Sequence, residues 1–167
     1  MKRVLFGLFA FLTITASNIF AQQAAQSPAS TATGKIGNAN ITINYGSPSV
    51  KGRAIWGELV PYGKVWRTGA NKATTFETDA DITVEGQPLK KGKYALFTLP
   101  EKNEWTIIFN KTTDQWGAFN YKQDDDVLRV KVKPSAVNEL TEALKFEVTK
   151  GGVTMKWEKL AVSFGVK

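Results

Sequence analysis

Short alternating runs cut by turn residues are the feature that most restricts what this chain can fold into. Ile41-Thr42-Ile43-Asn44-Tyr45 alternates apolar and polar, as a half-buried strand does, and Gly46-Ser47-Pro48 ends it. Ala73 to Thr78 and Ile82 to Glu85 are two more such runs, separated by Asp79-Ala80-Asp81 and closed by the turn Glu85-Gly86-Gln87-Pro88. Lys93 to Leu99 stops at Pro100, and Trp105 to Phe109 reads as its hairpin partner across Glu101-Lys102-Asn103. Val127 to Lys133 is the cleanest alternation, valines on one side and Arg/Lys on the other, until Pro134. Leu144 to Thr149 and Val153 to Phe164 read as a final hairpin across Lys150-Gly151-Gly152. A helical period is sustained only over Ala136 to Ala143, and only briefly.

About eight to ten short strands, with turn signals every 8–12 residues or so, predict an all-β fold: an antiparallel β-sandwich or partly open barrel with little helix. The βα alternation that a parallel sheet needs is missing. No repeat and no linker divides the chain after Gly34, so residues 34–167 are expected to form a single domain.

The N-terminus is of a different kind. Lys2 and Arg3 precede an almost wholly apolar run from Val4 to Ala16, and Ile19-Phe20-Ala21 supplies a small residue before Gln22-Gln23. That order predicts a cleaved signal peptide over residues 1–21, with cuts after Ala24 or Ala25 as alternatives. The run is shorter than the 20 or so apolar residues of a spanning anchor, so no transmembrane segment is expected after cleavage. Residues 22–33 are small, polar and aperiodic, and are expected to form a flexible leader. The expected destination is outside the cytoplasm, periplasmic or extracellular.

Removing Lys2 and Arg3 lowers the net charge from +7 to +5. There is no cysteine, which excludes disulfides, thiolate metal sites and a thiol nucleophile. There is no histidine either, which excludes Ser-His-Asp catalysis and His-ligated zinc or copper. No cofactor is expected. Nucleic acid is not an expected partner, because export and the lack of an ordered basic–aromatic stripe argue against it.

The segment Lys51 to Asn71 gathers Arg53, Trp56, Tyr62, Trp66, Arg67 and Asn71 in a glycine-rich frame. Aromatic faces for stacking and guanidinium forks for carboxylate or phosphate suit a glycan or a small anionic ligand. Asn110 and Trp116, in the polar stretch Asn110 to Tyr121, are expected to form a second wall. Two readings stay open: these side chains line a ligand site, or they anchor long connections and satisfy their backbone groups. Asp124-Asp125-Asp126 lacks calcium-loop spacing and reads as a solvated turn.

Three functions follow as expectations. The first is an exported binding or interaction module of unknown ligand. The second is a carboxylate-based hydrolase of cell-surface glycans, using two of Glu58, Glu77, Asp79 and Asp126 across a cleft. The third is a purely structural surface protein.

G-R-A-I-W-G at 52–57, V-P-Y-G-K-V-W-R-T-G-A-N at 60–71, K-G-K-Y-A-L-F-T-L-P at 91–100 and W-T-I-I-F-N at 105–110, followed by Trp116-Gly117, resemble a family of exported proteins known as domain of unknown function 2911. The resemblance runs from about Ser27 to near the C-terminus. It implies an exported, β-rich domain and brings no activity or catalytic residues with it.

Overall fold

The computed structural model describes residues 27–167. The expected signal peptide, and the part of the expected leader before Ser27, lie outside them. The elements are β1 (Ala29–Ile36), β2 (Ala39–Gly46), β3 (Thr74–Thr78), β4 (Ile82–Val84), β5 (Gln87–Leu89), β6 (Gly92–Leu99), β7 (Trp105–Asn110), β8 (Asp126–Val132), β9 (Ser135–Thr149) and β10 (Gly152–Gly165), with one 3-10 turn at Gln123–Asp125. The fold is all-β and antiparallel, and no sheet closes into a barrel. Among the described residues no helix is long and apolar enough to cross a membrane.

Six strands form the main sheet in the order β1-β2-β3-β6-β7-β8. Its inner face carries Ile41, Ile43, Phe76, Leu96, Ile107, Phe109 and Val130. Over it lies the β9–β10 hairpin, which contributes Leu144, Phe146, Met155, Trp157, Val162 and Phe164 to the same core. Burying each of these large side chains is worth about 1.5–3 kcal/mol. Without disulfides, that layer holds the sandwich together.

Two expectations are corrected. Ala136 to Ala143, read as a short helix, lies inside β9. Ser135 and Ala136 pair with Ala161 and Leu160, and Thr141 pairs with Glu158 across a bulge. Eight residues make a marginal isolated helix, and a ready-made partner strand outweighs that weak preference. Ala29 to Thr33, expected to belong to a flexible leader, instead lie in β1 and pair with β2 from Ala29–Gly46 onward. The segment shows no apolar alternation because β1 is an edge strand that buries only Ile36 fully.

Candidate functional site

One row of residues can be followed from strand to strand across the outer face of the main sheet. Register places Thr31 opposite Asn44, Asn44 opposite Thr75, Thr75 opposite Ala95, Ala95 opposite Asn110, and Asn110 opposite Asp126. Directly opposed residues share a face, so one largely polar row crosses all six strands.

Half of that row is roofed. The connection from Lys111 to Asp125 folds over the β6–β7–β8 end and is stitched down where the Ala73 amide donates to the Gln115 carbonyl (2.9 Å) and the Gly117 amide to the Asn71 carbonyl (3.0 Å). Beneath it Ala73, Ala95, Phe97 and Ile108 form a second small core with Ala118 and Tyr121. Asn110 is its polar pillar. Its Nδ2 donates to the Lys122 carbonyl and to Asp126 Oδ1, and its Oδ1 accepts from the Thr112 amide. The Asp126 Oδ2 accepts from Tyr121 Oη (2.6 Å) and from Arg129 Nη1 (2.7 Å). Burial, and then the bond to Asp126, push the Tyr121 phenol up to about 12.

The other half is open. Thr31, Asn44 and Thr75 floor a groove of 810 Å³ that crosses from β1 to Lys93 on β6. One wall is Asn71, Lys72, Thr113, Asp114 and Trp116. Trp116 is 53 % exposed, while Trp66, Trp105 and Trp157 are buried. Thr31 Oγ1 donates to Asn44 Oδ1 (2.8 Å), and the Asn44 amide nitrogen has no partner among the described residues. The buried Thr75 hydroxyl has no partner among the described residues. Lys72 pairs with Asp114 (2.9 Å), and Lys93 stands 4.0 Å from Glu77.

Backbone detail fixes the wall. Thr68 and Asn71 both take positive φ, 55° and 64°. The Thr68 hydroxyl is bonded to Thr98 Oγ1, and its carbonyl accepts from Thr74 Oγ1, so neighbours impose the strained turn. Asn71 Nδ2 donates to the Ser27 carbonyl, which pins the start of the described chain to the groove.

Of the eight residues expected at a site, only Asn71 and Trp116 line this groove. Trp56 and Trp66 instead join Trp105 and Trp157 in a four-indole cluster of the core, with Trp56 edge-on to the other three. Arg53 clamps its own turn through the carbonyls of Val50 and Ser49. Tyr62 lies over Gly57, where a Cβ would come within 3.1 Å of its ring. Arg67 keeps a buried Nε without a partner among the described residues, and desolvation lowers its pKa. Asn110 supports the roof and is fully buried.

Sequence reasoning passed over Thr31, Asn44, Thr75, Lys72, Lys93 and Asp114. Polar residues at alternate strand positions look like any solvated face, and only the register reveals that they share a row.

The acids expected for a hydrolase are dispersed. Asp79 holds the Asn40 amide and side chain, and Asp126 is taken up by Asn110, Tyr121 and Arg129. Among the described residues the groove is lined by a single carboxylate, Asp114, and no group of three acids is placed to hold a metal ion.

A family described as "Protein of unknown function" (DUF2911) has a model that matches residues 27–166. No curated protein and no solved structure matches the chain.

Proposed function

We propose, for a chain that belongs to the DUF2911 family, that it is an exported binding module whose outer-face groove captures a small polar ligand. The observation that carries this reading is the open half of the transverse row, Thr31–Asn44–Thr75, lying beside an exposed indole. Sheet strands hold the floor, and a doubly stitched loop holds Trp116, so the site is formed before the ligand arrives. Preorganisation of this kind lowers the ordering cost of binding. Hydrogen-bond donors on a rigid floor with one flat apolar wall suit binding and orientation. Asp114, the one carboxylate lining the groove among the described residues, is paired with Lys72 and poorly placed for two-carboxylate chemistry. Export is supported by the basic start and apolar run at residues 2–16.

Thermal unfolding of the mature chain, residues 22–167, against glycans, small anions and divalent metals tests this. A ligand present at about 100 times its Kd adds roughly 2.7 kcal/mol to stability. The shift should vanish in Trp116→Ala and Asn44→Ala. A shift that survives both substitutions places the ligand elsewhere.

A further inference from the structure

We infer that the ligand is an uncharged oligosaccharide laid across the strands, an inference that rests on the groove being the binding site. Four features of the groove point to this chemistry. Its floor offers the Thr31 hydroxyl and the Asn44 carboxamide, and those groups match sugar hydroxyls in both donating and accepting. Its exposed flat wall, Trp116, offers an apolar face to the C–H side of a pyranose ring.

Charge supplies the third feature. The two ammonium groups at the groove, Lys72 and Lys93, each have a carboxylate beside them, Asp114 and Glu77. The local charge is therefore balanced. A polyphosphate or a polyuronate would need an unpaired cationic surplus, which the groove does not offer.

Shape supplies the fourth. The groove runs over the face of four adjacent strands, β1, β2, β3 and β6. Three inter-strand spacings of about 4.8 Å give a path of about 14 Å, longer than one sugar ring. An extended peptide would instead pair with a strand edge, where free amides and carbonyls are presented.

Acrylamide quenching of tryptophan fluorescence tests the inference in the mature chain. Trp116 is the most exposed indole, so most collisional quenching should come from it and disappear in Trp116→Ala. Soluble gluco-, manno- and xylo-oligosaccharides, an oligogalacturonate, ATP and a mixture of free amino acids serve as probes. At least one neutral oligosaccharide should protect Trp116. Its affinity should change less than about threefold between roughly 0.01 and 1 M salt, because neither partner carries net charge at the contact. Asn44→Ala should weaken it by about tenfold, the fold-change of one lost hydrogen bond.

Protection by the oligogalacturonate alone, with steep salt dependence, overturns the uncharged class and leaves the groove as the site. Protection by ATP or amino acids alone overturns the saccharide class and also leaves the groove. Protection by no neutral oligosaccharide overturns the inference. Binding of a neutral oligosaccharide with unchanged affinity in Trp116→Ala and Asn44→Ala overturns both the inference and the groove reading.

Discussion

The indole of Trp66 lies stacked on that of Trp157, with ring centroids 5.9 Å apart and planes inclined by 18°. One comes from the glycine-rich connection and the other from β10, so the stack bolts that connection onto the hairpin layer. Trp66 also bonds its backbone to Thr98 of β6 in both directions (2.8 and 2.9 Å). A segment that looks like a binding loop is thus an integral part of the core.

Trp157→Ala is therefore expected to cost about 3–5 kcal/mol, the range for deleting a large buried aromatic. Urea unfolding followed by far-UV circular dichroism measures it. A loss below about 1 kcal/mol would mean that the cluster is not holding the two layers together.

Arg67 carries the opposite expectation. Its Nε is buried without an acceptor among the described residues and it forms no ion pair there. Arg67→Met removes an unsatisfied donor while keeping most of the apolar stem, so stability should hold or rise by up to about 1 kcal/mol. Ligand affinity at the groove should not change. A loss of more than about 2 kcal/mol would show that the guanidinium has a stabilising partner.

Asp126 is the point where the roof is fastened. Its side chain is 5 % exposed and bonds Asn110, Tyr121 and Arg129. Asp126→Asn leaves Arg129 without its counter-charge and should cost about 2–3 kcal/mol, less than a fully buried pair because Arg129 is partly solvated. Hydrogen exchange should accelerate across residues 111–121 before the rest of the sheet. Uniform acceleration of the whole domain would contradict a local fastening role.

Tyr121 gives this region a signature at high pH. Its phenol titrates near 10.0 when free and near 12 in the fold. Folding therefore favours the protonated form. Its contribution is complete below pH 10.0 and is lost as pH rises toward 12. Tyr121→Phe lacks this group, so its stability should fall less steeply across that window in urea titrations. Parallel profiles for the two proteins would count against a raised phenol pKa.

Gly46 sets the spacing of the groove wall. A methyl group there would run into the Ala70 carbonyl, which is backbone and has nowhere to move. Gly46→Ala should cost about 3 kcal/mol, at the upper end of overpacking effects, and should weaken ligand binding through Asn71. A neutral outcome in both assays would mean that the wall is free to shift.

Much of the architecture was legible in the sequence because it rests on period and punctuation. The run from Val127 to Lys133 alternates, ends at Pro134, and lies almost entirely in β8. Ala29 to Ile36 was not legible, since an edge strand can be built from Ala, Ser and Thr and still pair fully with β2. The candidate site was legible only at Asn71 and Trp116. Trp and Arg attract functional readings, yet burial decides, and Trp56 and Trp66 were claimed by the core. The floor of the groove depends on register between strands distant in sequence, such as Asn44 with Thr75, which alternation alone does not specify.

Amide chemical-shift mapping of residues 22–167, titrated with the best neutral oligosaccharide found by quenching, tests the groove most directly. The largest shifts should fall on Thr31, Asn44, Lys72, Thr75, Lys93 and Trp116, with little change at Arg53, Tyr62 or the β4–β5 turn. Shifts centred on Arg53 and Tyr62, with the Thr31–Asn44–Thr75 row silent, would contradict it.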